Sequence, residues 1–364
     1  MNRAYKFRLY PTKTQEEFFM KTFGCVRFIY NKMLEDKIAY YRDTGQKLNN
    51  TPAQYKSEFP WLREVDSYAL CNAQIHLQAA YSNFFKNPKA GFPKFKSKKK
   101  SKQSYTTNNI NNFTAIRLVY NKVRLPKVGL VKVKAHRQLK DNEIIKSATI
   151  SKTPTGKYFV SILVEFNYET PEINLDSNKA LGLDYSSPCF YVDSQNNKAD
   201  YPKFFRESQE KLAREQRRLS HMQLGSNNYQ KQKVRVAKVY EKIVNQRKDF
   251  LHKLSRQLTN EYDIICVEDI NLQGLSQCLN LGKATMDNGF GMFREMLNYK
   301  LNYQGKKLVK IDKWFPSFKT CRFCGTVNSN LTLADREWLC DCGQVLDRDY
   351  NAAVNILNAG LASI

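Results

Sequence analysis

Residues 2 to 10 alternate: Tyr5, Phe7 and Leu9 interleave with Lys6, Arg8 and Tyr10, a period of two that predicts a strand stopped by Pro11. The period then lengthens. Phe19, Phe23, Val26, Tyr30 and Met33 recur at helical spacing, and Thr14-Gln15-Glu16-Glu17 reads as a capping box opening that helix. A second helix is expected at 68 to 86, with Leu70, Ala73, Leu77, Tyr81 and Phe84 on its apolar stripe and Gln74 and Gln78 one turn apart beside it. Residues 12 to 90 therefore read as a helical subdomain.

Residues 86 to 105 break the pattern with Pro88, Gly91, Pro93 and the lysine run Lys94 to Lys100, so a connector is expected. Alternating segments follow at 117 to 120, 128 to 133, 143 to 150 and 157 to 166. They predict a small β-barrel closed by the N-terminal strand. From Ala180 the order changes to strands separated by long helices: 181 to 184, 190 to 192, a basic helical stretch at 204 to 259, 264 to 268, a helix at 289 to 304 and a strand at 307 to 312. A last helix spans 351 to 361. That alternation predicts a three-layer α/β domain with the basic helices outside the sheet.

Charge sharpens the picture. The chain carries 59 Lys and Arg against 34 Asp and Glu, a formal +25. Residues 67 to 140 hold 16 of the cations and no acid, and residues 203 to 256 hold 15 against 5 acids. Charge concentrated in this way points to a phosphate backbone as partner. No stretch approaches the ~20 apolar residues of a membrane span, and Met1-Asn2-Arg3-Ala4-Tyr5 has no apolar signal core, so a cytoplasmic protein without a membrane partner is expected. There is no Gly-x-x-x-x-Gly-Lys loop, so no nucleoside triphosphate is expected as ligand. The four histidines are isolated, and none is assigned to metal.

Three acids stand at strand ends or a helix start: Asp184, Glu268 and Asp349. Each alone is more often a helix cap or a solvated turn than a catalyst. Together, in an α/β domain of a basic protein, they offer the hard oxygen ligands that Mg²⁺ requires, and two such ions ~3.5 to 4 Å apart flank a scissile phosphate in two-metal chemistry. Of the nine cysteines, Cys25, Cys71, Cys189, Cys266 and Cys278 are scattered and read as reduced thiols. Cys321-x-x-Cys324 and Cys340-x-Cys342 form paired knuckles suited to one tetrahedral Zn²⁺, closed and structural, with Gly325 and Gly343 permitting the turns. The second pair is tighter than the common Cys-x-x-Cys, so its knuckle geometry must differ.

These motifs together resemble the TnpB family of insertion-sequence proteins, relatives of the type V CRISPR effectors. The resemblance is carried by Tyr5-Lys6-Phe7-Arg8-Leu9-Tyr10-Pro11, Leu181-Gly182-Leu183-Asp184-Tyr185-Ser186-Ser187, Cys266-Val267-Glu268-Asp269-Ile270, Lys313-Trp314-Phe315-Pro316-Ser317-Phe318-Lys319-Thr320-Cys321 and Asp347-Arg348-Asp349-Tyr350-Asn351-Ala352-Ala353. It covers essentially the whole chain. It implies an RNA-guided nuclease that cuts double-stranded DNA beside a short flanking motif, with guide RNA from the transposon end and target DNA as partners.

It also implies a wedge barrel (1 to 11 and, with the basic connector, 91 to 176), a helical recognition lobe (12 to 90), and a RuvC-like, ribonuclease H-like core (177 to 315 and 346 to 364) interrupted by a zinc module (316 to 345). Carried over by position, Asp184, Glu268 and Asp349 would be the catalytic, Mg²⁺-binding triad, with Asp347 and Asp269 as supporting or capping groups. The intact triad argues against a nuclease-inactive repressor. A strand-transfer transposase uses the same acids, and only the resemblance separates it from the nuclease.

The basic segments take roles from the same resemblance. Phe92, Lys94, Phe95, Lys96, Lys98, Lys99 and Lys100 are expected to contact guide RNA through charge and stacking, or to be a solvated loop. Arg206, Arg214, Arg217, Arg218, Lys231, Lys233, Arg235 and Lys238 are expected along a heteroduplex channel. Gln74 and Gln78 are candidates for reading adenine edges in the flanking motif, or plain helix formers. Asp287-Asn288-Gly289-Phe290-Gly291 reads as a mobile lid or an ordinary helix start.

Overall fold

The computed structural model describes every residue except 111–114, 187, 272, 273, 275–286 and 333. Ser187 of the Asp184 motif and the scattered Cys278 therefore lie outside the described residues. The chain divides into two units, Met1–Tyr168 and Glu169–Ile364.

In the first unit, β1 (Asn2–Tyr10) leads into α1 (Lys13–Thr44), then the short α2 (Tyr55–Glu58) and α3 (Ser67–Lys86). The capping box lies earlier than the spacing predicts, at Thr12 rather than Thr14. Thr12 accepts from the Gln15 backbone N–H, and the Gln15 side chain accepts from the Thr12 backbone. The helix thus begins directly after Pro11, whose fixed φ suits an entry.

Six further strands follow: β2 (Gln103–Asn108), β3 (Arg117–Val119), β4 (Lys122–Leu125), β5 (Gly129–Lys134), β6 (Ile144–Lys152) and β7 (Tyr158–Glu165). They form a seven-stranded sheet of order β2-β6-β7-β1-β5-β4-β3. The N-terminal strand is thus internal. It pairs antiparallel with β7 from Asn2 opposite Glu165 to Leu9 opposite Tyr158, and its end pairs with β5 from Arg8 opposite Lys134 to Tyr10 opposite Lys132. Phe19 and Phe23 of α1, Leu70 and Ala73 of α3, and Phe7, Tyr105 and Val160 of the sheet share one apolar core.

In the second unit, β8 (Ala180–Tyr185), β9 (Tyr191–Asp193), β10 (Lys198–Ala199), β11 (Ile264–Glu268) and β12 (Lys307–Ile311) form a sheet of order β10-β9-β8-β11-β12. β11 runs parallel to both β8 and β12. Among the described residues the long helices are α4 (Phe204–Ser220), α5 (Asn227–Glu261), α6 (Phe290–Tyr303) and α7 (Arg348–Ala362).

Strand alternation sorts their packing. Leu181, Leu183, Ile265 and Val267 pack against Leu251, Leu258, Phe293 and Leu297 of α5 and α6. Ala180, Ile264 and Cys266, offset by one residue, pack with Val309 and Ile356 on the α7 side. The result is helix, sheet, helix, as the alternating pattern predicted.

α7 lies unusually close to the sheet. A Cβ on Gly182 would sit 2.2 Å from the Ala353 carbonyl oxygen, and one on Gly360 would sit 2.3 Å from Cys266 Sγ. A glycine on the strand and a glycine on the helix thus set the approach from both sides.

Candidate active site and cysteine cluster

The register Val267 opposite Leu183 brings the ends of β8 and β11 together, so Asp184 and Glu268 close two adjacent parallel strands at the same edge. Both carry the parity of Gly182 and Cys266, so both belong to the sheet face that α7 covers. Asp349 stands in the first turn of α7. The three acids, far apart along the chain, therefore meet on one side of one sheet edge.

Their electrostatics agree. Burial, then the charges of Glu268 and Asp349, push the Asp184 carboxyl well above the usual carboxylate range. Burial also raises Glu268, partly offset by the hydrogen bond that the Ser317 hydroxyl donates to it. Asp349 is held instead by cations: Arg348 donates to its Oδ1 from Nε at 2.9 Å and from Nη2 at 2.7 Å, and Arg336 reaches its Oδ2 at 3.4 Å. Ser186 Oγ lies 3.5 Å from the same Oδ2. Half-buried acids that repel one another in this way are the donor set a hard divalent cation relieves, so the residues present fit Mg²⁺.

Asp347 caps α7, accepting from the Tyr350 backbone N–H at 2.8 Å. Asp269 is exposed and pairs with Arg294 at 3.3 Å. Both are therefore engaged beside the trio.

The cysteine cluster is equally compact. Cys321, Cys324, Cys340 and Cys342 place their sulfurs within 4.8 Å of one another, with Cys321 to Cys342 at 3.8 Å and Cys324 to Cys340 at 3.6 Å. Four thiolates ~2.3 Å from a tetrahedral Zn²⁺ would stand about 3.8 Å apart, so the sulfurs fit that ion. Gly325 and Gly343 adopt φ of 76° and 84° at the two knuckles. The second knuckle sits on the hairpin of β13 (Glu337–Leu339) and β14 (Val345–Asp347).

Two buried asparagines of α7 tie its start to the first knuckle. Asn351 donates to the Thr320 carbonyl at 2.7 Å and accepts from the Arg322 N–H at 3.0 Å. Asn355 donates to the carbonyls of Ser317 and Thr320 at 2.8 and 2.6 Å. Ser317, whose hydroxyl orients Glu268, is thus fixed from α7 through its own carbonyl. Ser317, Thr320 and Asn351 stand in motifs quoted above, but their roles were not readable from sequence because their partners are long-range.

Asp287 and Asn288, at the head of the segment read as a lid or an ordinary helix start, are tied down just before α6. Asp287 is buried, accepting from the Phe205 N–H at 3.0 Å and from Arg247 at 3.3 Å, while its carbonyl accepts from Tyr201 Oη at 2.6 Å. Asn288 donates to Tyr185 Oη at 2.8 Å, beside Asp184. These bonds make the segment a pinned helix start.

The candidate nucleic-acid residues divide. Arg206, Arg214, Arg217, Arg218, Lys231, Lys233, Arg235 and Lys238 all lie on α4 and α5, on the solvent side of the unit. Arg218 and Arg235 also reach the buried pair Glu215 and Gln232 between those helices. Phe92 and Phe95 are exposed, as are Lys94, Lys98, Lys99 and Lys100, whereas Lys96 is half-buried. Gln78 is exposed, and Gln74 already donates to the Asn50 carbonyl at 3.1 Å.

A three-layer α/β unit with clustered acids and a four-cysteine module defines the class, and the comparisons agree with it. Residues 161–279 match the OrfB_IS605 family model, described as "Probable transposase". Residues 290–356 match a Cas12f1-like TNB domain. Residues 1–46 match a model described as a helix-turn-helix domain, although here they form a strand and one long helix.

A Streptomyces pristinaespiralis protein named "Putative RNA-guided DNA endonuclease" is 37% identical over 100% of this chain and 90% of its own length. The Escherichia coli K12 protein "Putative RNA-guided DNA endonuclease InsQ" is 27% identical over 99% and 92%. The chain belongs to the OrfB_IS605, or TnpB-like, family. In fold it is similar to the protein in the cryo-EM structure of a Cas12f1-sgRNA-target DNA complex, with a TM-score of 0.61 at 12% identity over 98% of this chain and 99% of that one. Among the described residues no helix is long and apolar enough to cross a membrane.

Proposed function

We infer that this chain is an RNA-guided DNA endonuclease acting in the cytoplasm on double-stranded DNA. The observation that carries the reading is the convergence of Asp184, Glu268 and Asp349 at one sheet edge, in a chain whose full length aligns with relatives of that name. The second unit is the RuvC-like nuclease, with 177 to 315 and 346 to 364 as its core and 316 to 345 as a zinc module. The seven-stranded sheet with its connector (1 to 11 and 91 to 176) is the wedge, and 12 to 90 is the recognition lobe.

Mg²⁺, when bound, supplies water activation and stabilisation of the charge that develops on the phosphate. The chain's own part is positional. Asp184 and Glu268 present carboxylate oxygens from two rigid parallel strands. Ser317 fixes the Glu268 rotamer, and Arg348 and Arg336 hold Asp349. Cys321, Cys324, Cys340 and Cys342 would hold one structural Zn²⁺ beside Thr320, whose carbonyl, with that of Ser317, accepts from Asn351 and Asn355 of α7. The exposed cations of α4 and α5, with those of the connector, draw in the phosphates of guide RNA and target DNA.

The test is cleavage of a duplex matching the RNA that co-purifies with the chain. Asp184→Ala, Glu268→Ala and Asp349→Ala are each expected to bind and not cut, whereas Asp347→Ala keeps cutting, having lost only a cap worth about 1 kcal/mol. Cutting by the Asp349 variant together with a dead Asp347 variant would overturn the assignment. Joining of labelled transposon ends without RNA-directed cutting would overturn the function.

A further inference from the structure

One lysine of the basic connector does not behave as its neighbours do. Lys94, Lys98, Lys99 and Lys100 are exposed, but the Lys96 backbone is clamped in both directions by Asn31, which accepts from its N–H at 2.8 Å and donates to its carbonyl at 2.9 Å. Its ammonium lies 3.7 Å from the Tyr30 ring centroid. Burial lowers its pKa, and the nearby ammonium, after burial, lowers that of His76. A loop that only needed charge in solvent would not fix this one side chain.

Lys96 faces a cavity of about 170 Å³ between α1, α3 and β2. One wall is apolar, from Phe23, Val26, Ala73 and Tyr105. The rim is cationic, from Arg27, Lys96 and Lys102, and no lining residue is acidic. Asp66, whose charge Tyr105 feels, is taken up by the Thr107 hydroxyl and the Tyr68 N–H. Asn72 lines the cavity too. Its amide nitrogen is committed to the Tyr68 and Thr106 carbonyls at 2.8 and 3.1 Å, which leaves its side-chain oxygen as an acceptor. A cavity of ~150 Å³ accepts one benzene-sized ring, so this volume suits a single flat heterocycle rather than a stacked pair.

We propose that this cavity is a pocket for one unpaired nucleotide, its base against Phe23 and Tyr105 and its phosphate on Lys96 and Arg27. A base inside a duplex has both faces stacked and cannot enter, so the occupant is an extruded or single-stranded residue. The proposal rests on the nucleic-acid reading above only for the source of that nucleotide, which is the bound RNA or the target DNA.

Abasic scanning of the full chain tests it. The probes are the RNA that co-purifies with the chain and the DNA strand matching it, with one base removed at a time. One position is expected at which loss of the base weakens binding about tenfold. Its strand names the source. Gln103→Trp, which shares the strand face of Tyr105 and so enters the cavity from its rim, and Lys96→Ala are each expected to lower affinity and to abolish that positional sensitivity. Lys98→Ala/Lys99→Ala/Lys100→Ala should weaken binding while leaving the position visible. A scan with no single sensitive position, or one whose position survives in both Gln103→Trp and Lys96→Ala, overturns the pocket. A chain that binds without cutting leaves the scan readable, so failure of the nuclease reading is distinguishable from failure of this one.

Discussion

Gly182 is two residues from Asp184, and its missing side chain decides how near α7 can come. A Cβ there would meet the Ala353 carbonyl oxygen at 2.2 Å, the Leu357 nitrogen at 2.8 Å and Leu357 Cβ at 2.9 Å. Two of these are backbone atoms of a helix and cannot rotate away. Restoring ordinary contact near 3.4 Å requires α7 to retreat by about 1 Å, so Gly182→Ala is an overpacking change of ~1 to 3 kcal/mol. The ~0.5 kcal/mol that alanine gains over glycine in a strand does not offset it. For a unit of this size the cost corresponds to a fall in Tm of roughly 3 to 10 °C.

Because Asp349 rides on the first turn of α7, the same displacement moves one acid relative to the two on the strands. Misplacement on that scale costs about 10²-fold in rate. The assay is single-turnover cleavage at saturating RNA and Mg²⁺, beside thermal unfolding in the same buffer. Activity should fall well below wild type at temperatures where Gly182→Ala remains fully folded. A variant with unchanged Tm and unchanged cleavage would show that the helix-to-strand distance does not set the geometry of the site.

Three further outcomes are expected. Asp184→Asn should raise the Tm of metal-free protein at pH 7: the folded-state pKa of Asp184 is raised, so its ionised form destabilises the fold as pH climbs above the ordinary value near ~3.9, and the gain should vanish on acidification to that value. Mg²⁺ should stabilise wild type more than this variant, and equal Tm values across the pH range would refute the repulsion argument. Cys340→Ser should lose about one Zn²⁺ per chain by elemental analysis and weaken cleavage, because Thr320 and Ser317 lose their hold; full cutting by zinc-free protein refutes it. RNA affinity should fall steeply with salt, and replacing the exposed Lys98, Lys99 and Lys100 should reduce the log-log slope by ~0.7 to 0.9 for each phosphate no longer neutralised; an unchanged slope confines them to a solvated loop.

The strands bearing Asp184 and Glu268 were legible because both faces are buried, giving unbroken apolar runs that end at an acid. The four cysteines were legible by spacing. Five strands were not: β2, β4, and the short β10, β13 and β14. β2, Gln-Ser-Tyr-Thr-Thr-Asn, buries only Tyr105 and Thr107 and reads as polar loop, and β4 is four residues whose partner is set by the turn at Asn121. The cap at Thr12 was masked by Thr14, which fits the same motif, and α1 settles the choice by its first hydrogen bonds. The charge count marked the connector as basic but could not single out Lys96, whose environment is made by Asn31 and Tyr30 some 65 positions away in sequence. Ser317 and Arg348 escaped for the same reason: what they touch is chosen by the fold.

The parallel strands and the late helix also order events during synthesis. Asp184 and Glu268 both precede Arg348–Ala362 in the chain, so the two strands that pair in the sheet are synthesised before the helix that covers them. In the folded unit α7 covers the sheet face over Ala180, Ile264 and Cys266 and brings Asp349 to the other two acids. If the three acids act as proposed, a chain still in synthesis would carry its basic helices before the acid that completes the trio.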